Sequence, residues 1–121
     1  MIGVGLDLVD IERFREALAR RPAMQARLFT NGERALAAGR ADPIPALAAR
    51  FAAKEAVMKA LGVGLGAFSF QEVEVLRLES GAPELRITGA AAVLAEGRGV
   101  TAWRISLSHS VATAGAVVSA L

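Results

Sequence analysis

The first ten residues alternate between two kinds of side chain. One set is aliphatic (Ile2, Val4, Leu6 and Leu8), and the other contains Gly3, Gly5, Asp7 and Val9. A period of two predicts a half-buried β-strand. Because the glycines leave their face without side-chain bulk, backbone or a ligand can approach closely beside Asp7.

After the strand, the apolar residues change to the spacing of an α-helix. This spacing extends over residues 11–21 and stops at Pro22, which cannot lie in a helix interior. Thr30 and Glu33 have the spacing of a capping box and predict a short helix running toward Gly39.

The longest helical pattern runs from Asp42 to Leu61, and Gly62 is placed to end it. This helix is apolar nearly all round, which is typical of a buried helix. Each charged side chain on it then needs a partner. These side chains are Arg50, Lys54, Glu55 and Lys59.

The rest of the chain predicts a hairpin, one short helix and two final strands. The hairpin strands lie near 70–78 and 84–88, the helix over 89–96, and the last strands over 100–109 and 114–120. The resulting β-αα(α)-ββ-α-ββ order predicts an α+β fold, with a mostly antiparallel sheet packed against one long buried helix and shorter helices. We expect residues 1–121 to form a single domain.

Composition narrows the class of protein. Of the 121 residues, 54% are hydrophobic and 21% charged, which excludes a disordered chain. The absence of cysteine excludes disulfides, thiolate nucleophiles and Cys-ligated metal centres. No apolar stretch reaches the ~18 residues of a membrane span, and the N-terminus lacks the basic region followed by an apolar region that is typical of a signal peptide. We therefore expect a soluble cytoplasmic protein with no membrane partner. Its few aromatic residues argue against a nucleic-acid partner.

Charge is distributed unevenly. The net charge is only +2, yet residues 13–27 hold five arginines against the single acid Glu16. These arginines are Arg13, Arg15, Arg20, Arg21 and Arg27. Such a patch indicates an acidic partner or, alternatively, a solvated helix face.

Two carboxylates on rigid elements are a usual way to hold Mg²⁺, and Asp7 with Glu55 is the best pair in this chain. Taken alone, Asp7 could instead be a strand-end residue that accepts backbone hydrogen bonds. Asp10 and Glu12 are weaker candidates, because they fall where the strand gives way to the basic helix and should face solvent.

Lys59 lies four residues after Glu55, so both share one face of the long helix, where burial is expected. The simpler interpretation of this pair is an ion pair that stabilises the helix. His109, the only histidine, lies at a strand end among Ser106, Ser108 and Ser110, whose hydroxyls could bind phosphate. A lone histidine at a strand end is more often structural than catalytic, and no nucleophile elbow accompanies it.

Three segments together resemble the holo-[acyl carrier protein] synthase family, the small single-domain 4′-phosphopantetheinyl transferases. They are residues 3–11, residues 50–62 with the sequence Arg-Phe-Ala-Ala-Lys-Glu-Ala-Val-Met-Lys-Ala-Leu-Gly, and residues 106–110 with the sequence Ser-Leu-Ser-His-Ser. Their order and spacing agree with the family, and the resemblance extends over essentially the whole chain.

The resemblance implies a transferase that moves the 4′-phosphopantetheine of coenzyme A (CoA) to a serine of apo-acyl carrier protein, in support of fatty acid biosynthesis. Asp7 and Glu55 would hold Mg²⁺, and Lys59 would lie near the transferring phosphate. Either a metal-bound water or Glu55 could take the serine proton. CoA would contact Arg50, Lys59, Ser108 and His109.

The resemblance also implies partners. Carrier proteins are acidic, so Arg13, Arg20 and Arg27 would dock the carrier. Members of the family are typically homotrimers with active sites at the subunit interfaces. One alternative function is a non-catalytic adaptor for an acidic protein or nucleic acid, which would leave Asp7 and Glu55 without a role. The other is a Mg²⁺ phosphohydrolase that cleaves CoA without a carrier.

Overall fold

The chain folds into five strands and five α-helices in a computed structural model that describes residues 1–121. The first elements are β1 (Gly3–Asp10), α1 (Ile11–Arg20), α2 (Ala23–Leu28), α3 (Asn31–Ala38) and α4 (Ile44–Leu61). A 3₁₀ turn at Phe70–Glu72 leads to β2 (Val73–Arg77), β3 (Pro83–Ile87), α5 (Gly89–Gly97), β4 (Trp103–His109) and β5 (Thr113–Ala120). The α+β class is confirmed, with four α-helices before the hairpin where two or three were predicted.

Capping chemistry sets the helix ends. The Thr30 and Glu33 capping box is present at α3, as predicted. Helix α4 begins at Ile44 rather than Asp42, because the Asp42 carboxylate accepts the Ile44 N–H from outside the helix at 3.1 Å. The helix ends as predicted at Gly62, whose φ of +70° is the left-handed conformation that glycine favours.

The strand predicted over 70–78 is wrong at its start. Ser69 and Glu72 form a capping box that winds Phe70–Glu72 into the 3₁₀ turn, so β2 begins only at Val73. The capping spacing was present in the sequence within a run that otherwise resembles a strand.

The strands form two antiparallel sheets instead of one. The larger has the order β1-β5-β4, and β2 pairs only with β3. The central strand β5 pairs along the whole of β1 and β4, which places Asp7, Ala116 and Leu107 in one row across the sheet.

Helix α4 packs against the larger sheet almost backbone to backbone. A Cβ added at Gly5 would lie 1.8 Å from the Ala56 carbonyl oxygen, and one at Gly3 would lie 1.9 Å from that of Ala60. The strand therefore needs glycine at both positions. The burial predicted for α4 is confirmed, since 13 of its 18 residues are buried. None of the helices, α4 included, combines the length and hydropathy of a membrane span.

The opposite face of the larger sheet is open. Val4, Leu6 and Leu8 are 55%, 60% and 67% exposed, whereas Gly5 is buried. Strand β1 is thus half-buried, as expected, with its glycine side inward and its aliphatic side outward. Val117 of β5 extends this open face.

Candidate active site

Asp7 and Lys59 meet where β1 crosses the C-terminal half of α4. The Lys59 ammonium donates to Asp7 Oδ1 at 2.9 Å and to the Leu6 carbonyl oxygen at 2.9 Å. The burial expected for Lys59 is wrong, because its side chain is 53% exposed. No ion pair joins it to Glu55, so the helical spacing of these two residues gives them a shared face but not a bond.

Glu55 and Asp7 line one groove of about 570 Å³. Its apolar wall includes three aromatic rings from different elements: Phe14 stacks on Phe51 at 5.2 Å between ring centroids, and Phe51 on Phe70 at 5.7 Å. The groove thus has carboxylates beside a hydrophobic surface.

The carboxylate pair is electrostatically strained. Partial burial raises the pKa of Glu55, the negative charge of Asp7 raises it further, and Lys59 opposes both. A cation bound between the two carboxylates would reduce their mutual repulsion. No cluster of three or more potential protein ligands exists in the chain, so a metal here would have at most two protein carboxylates. That donor set fits Mg²⁺, which keeps waters and takes substrate phosphate oxygens as its other ligands.

Arg50, Ser108 and His109 line a second cavity, of about 590 Å³, which does not include Asp7, Glu55 or Lys59. The predicted site residues therefore form two groups that lie at separate places on the surface of the folded chain. The first is formed by β1 and α4, and the second by α4 and the end of β4.

Arg50 is the buried cation of this second cavity. One of its terminal nitrogens donates to the Ala46 carbonyl oxygen at 3.2 Å, while its Nε has no hydrogen-bond partner. Burial lowers the pKa of Arg50, and the charges of Arg40 and Arg77 lower it further against the opposing effect of Glu33. Three guanidinium groups near one cavity favour an anion.

Lys54 lies at a different place from both groups. Its ammonium donates to Glu33 Oε1 at 2.8 Å, to the Phe70 carbonyl oxygen at 2.9 Å and to the Val73 carbonyl oxygen. Burial lowers the pKa of Lys54, and Glu33 opposes the shift. All three N–H groups are satisfied, so Lys54 fastens α4 to α3 and to the start of β2.

Comparison with known proteins decides the family. Residues 3–118 match the model of the 4′-phosphopantetheinyl transferase superfamily. The chain belongs to this superfamily. The resemblance carried by its three sequence segments is thereby confirmed, and so is its class as an enzyme.

Relatives within the phosphopantetheinyl transferase superfamily match along almost their full length. A holo-[acyl-carrier-protein] synthase of Streptomyces griseus is 48% identical over 120 residues, covering 99% of this chain and 98% of its own. The crystal structure of the Neisseria meningitidis synthase matches with a TM-score of 0.91 at 32% identity, covering 100% of this chain and 98% of its own. The Helicobacter pylori synthase in complex with coenzyme A matches with a TM-score of 0.85 at 27% identity, covering 98% and 99%.

The basic patch of this phosphopantetheinyl transferase carries less free positive charge than its five arginines suggest. Arg15 binds both Asp42, at 2.7 Å, and Glu12, at 3.2 Å, so its charge is neutralised. The three residues predicted to dock a partner, Arg13, Arg20 and Arg27, are all exposed and form no ion pair. Asp10 and Glu12 face solvent, as expected, and Asp10 caps α1.

Two kinds of residue at these sites of the transferase were not predicted from the sequence. Arg40 and Arg77 flank Arg50 in the second cavity, and Phe51 and Phe70 line the groove. The phenylalanines resemble ordinary core positions of amphipathic segments. The arginines come from a loop and a strand that nothing in the local sequence joins to α4.

Proposed function

We propose that this enzyme transfers the 4′-phosphopantetheine of CoA to a serine of an acidic apo-acyl carrier protein, in a Mg²⁺-dependent reaction that releases adenosine 3′,5′-bisphosphate. The observation that carries the proposal is the groove lined by Asp7 and Glu55, with Lys59 hydrogen-bonded to Asp7. The names of its relatives support CoA and a carrier protein as substrates. A cytoplasmic role in fatty acid biosynthesis is part of the same proposal.

The groove residues fit phosphoryl transfer to an external nucleophile. Asp7 and Glu55 would hold Mg²⁺, which when bound would neutralise charge on the CoA pyrophosphate. No Ser, Thr or Cys lines the groove, in agreement with a serine supplied by the carrier. Its hydroxyl oxygen forms a bond to the pantetheine-side phosphorus as the bond from that phosphorus to the bridging oxygen breaks. The bridging oxygen leaves as part of adenosine 3′,5′-bisphosphate, and either Glu55 or a water molecule accepts the hydroxyl proton. Lys59 supplies a point cation for the developing charge.

The second cavity fits the phosphates of the adenosine half of CoA. Arg50 has an unpaired Nε, and Arg40 and Arg77 add positive charge at the same place. Ser108 and His109 add hydrogen-bonding groups at the cavity edge. A phosphate here would supply the anion that the buried guanidinium lacks.

We further propose that the enzyme is a homotrimer whose active sites lie at subunit seams. Val4, Leu6 and Val117 leave an aliphatic sheet face open, which is a surface suited to a second copy of the chain. Leu8 of the groove and Ser108 of the second cavity lie on either side of Gly115 in one row of this sheet. A second copy seated there would bring one copy's cavity toward the other's groove. Sedimentation that finds only monomer would contradict this assembly.

One assay tests the reaction. The enzyme is incubated with CoA, Mg²⁺ and apo-acyl carrier protein, and the carrier is weighed by mass spectrometry. We expect a gain of one phosphopantetheine that EDTA abolishes. Asp7→Asn should reduce its rate by more than about tenfold to a hundredfold, the loss caused even by removing an outer-shell partner of a metal ligand. No mass gain, or a gain that survives EDTA, contradicts the mechanism. Cleavage of CoA without the carrier would indicate the phosphohydrolase instead.

A charge reversal tests the docking patch. Arg13→Glu or Arg20→Glu should raise KM for the apo-carrier at low salt and leave KM for CoA unchanged, because complementary charge steers the encounter of the two proteins. Arg86→Glu, on β3, is the control for charge reversal at an exposed arginine away from α1; unlike the docking arginines, Arg86 has an ion-pair partner, Glu74, at 3.7 Å. An unchanged KM for the carrier, or an equal rise in the control, would exclude docking at this patch.

A further inference from the structure

Lys59 is bonded to a residue that the proposed function assigns to the metal. Its ammonium lies 2.9 Å from Asp7 Oδ1 and 2.9 Å from the Leu6 carbonyl oxygen, and the structure gives it no other partner. The cation proposed to act on the phosphate thus rests on a proposed metal ligand.

Only one member of this pair is free to move. Strand β1 is paired with β5 over its whole length, and the carbonyl of Ala56 fills the space beside Gly5, so the Asp7 backbone is fixed. The Asp7 side chain is only 17% exposed, whereas that of Lys59 is 53% exposed on a flexible four-carbon stem. An exchange of partners therefore requires only a rearrangement of the Lys59 side chain.

We infer that Lys59 couples metal binding to CoA binding: without CoA its ammonium competes with a divalent cation for Asp7, and the phosphates of CoA draw it away. This inference rests on the proposed function, from which it takes the metal ligands and the substrate. Like charges repel at one carboxylate, whereas a phosphate offers Lys59 an alternative anion. By linkage, CoA tightens metal binding by the same factor as the metal tightens CoA binding.

The coupling predicts that removing the positive charge of Lys59 raises the affinity of the protein for a divalent metal ion. In the absence of CoA, Lys59→Gln should tighten Mn²⁺ binding by about tenfold, the scale expected for a unit charge facing a divalent ion at short distance in water. The same substitution should reduce the further tightening that CoA gives to the wild type. A residue that only stabilises the fold would move neither quantity.

The test measures metal binding itself. Mn²⁺ is titrated into metal-free protein, with and without saturating CoA, and free Mn²⁺ is counted by electron paramagnetic resonance against a protein-free blank. Arg13→Gln is the control for the loss of one positive charge, because Arg13 lines the groove of Asp7 and Glu55 and has no bond to Asp7. We expect it to change Mn²⁺ affinity by less than about threefold, as for a screened charge at longer range.

The outcomes separate this inference from the proposed function. Equal Mn²⁺ affinity of Lys59→Gln and wild type without CoA overturns the coupling, and so does an equal gain in Arg13→Gln. Asp7→Asn provides the second comparison. If it binds Mn²⁺ as tightly as the wild type, or if no protein binds Mn²⁺ at all, the metal site itself is wrong and the inference falls with it.

Discussion

Helix α4 carries two lysine–carboxylate pairs that differ in burial. Lys54 and Glu33 are 2.8 Å apart with both side chains 0% exposed, and Lys59 and Asp7 are 2.9 Å apart with side chains 53% and 17% exposed. The distances are nearly equal, so proximity does not distinguish the pairs. Burial does: a pair without access to water is fixed in place, whereas a pair at the edge of a groove can exchange partners.

Hydrogen bonding makes the same distinction. Besides Lys54, Glu33 accepts the N–H groups of Thr30 at 3.0 Å and Val75 at 2.9 Å, so the buried network joins α3, α4 and β2. Lys59 has acceptors on β1 alone, two for its three N–H groups, and its side chain is half exposed. The first pair holds the fold together around the groove, and the second is available for chemistry.

The largest expected effect comes from breaking the buried pair. Lys54→Met keeps a side chain of similar length but removes the cation beside the buried Glu33 carboxylate and the N–H groups donated to the Phe70 and Val73 carbonyl oxygens. Removing one partner of a buried ion pair destabilises by about 3–5 kcal/mol. We expect that loss in the free energy of unfolding by urea, measured at one fixed protein concentration.

Lys59→Met is the matched control for this substitution. It makes the same change five residues later on the same helix, at a partly exposed pair, and should lower the free energy of unfolding by less than about 1 kcal/mol. Equal losses for the two variants would mean that burial does not distinguish the pairs.

A smaller effect measures how strongly the buried partners depend on each other. In a double-mutant cycle of Glu33→Gln and Lys54→Met, the double variant should be more stable than the sum of the single losses predicts, by about 1–3 kcal/mol. The reason is that the neutral amide no longer needs the ammonium, and its oxygen can still accept one backbone N–H. Strictly additive losses would show that Lys54 acts through the Phe70 and Val73 carbonyls instead.

The sequence predicted the helices of this molecule better than its ion pairs. Caps and breakers are local signals, so Thr30 with Glu33 and Gly62 identified helix ends correctly. The partners of the two lysines lie 21 and 52 residues away along the chain, where no local pattern can reach. Helical spacing pointed instead to Glu55 as the partner of Lys59.

The strand faces show a second limit. Alternation in β1 separates two faces but does not say which one is buried. The glycine face is inward because α4 approaches as backbone at Gly5, and this packing leaves Leu6 and Leu8 outside. The sequence did predict the close approach, but the identity of the approaching element depends on the tertiary fold.

The smallest expected effect concerns Glu55. Unlike Glu33, this partly buried carboxylate has no lysine hydrogen-bonded to it. Burial and the charge of Asp7 raise the pKa of Glu55 above its value in the unfolded chain. The folded protein therefore binds this proton more tightly than the unfolded chain does. The resulting stability is present below the unfolded pKa and is lost as the pH rises through the folded one.

Glu55→Gln keeps this side chain neutral at every pH, so it should be more stable than the wild type at pH ~7.5 and lose that advantage toward pH ~4. Urea unfolding in metal-free buffer measures the difference, which we expect to be below about 1 kcal/mol, because the site is partly solvated. Glu84→Gln, on an exposed position of β3, controls for the loss of one negative charge. An advantage as large at pH ~4 as at pH ~7.5 would mean that the gain comes from packing rather than from the charge.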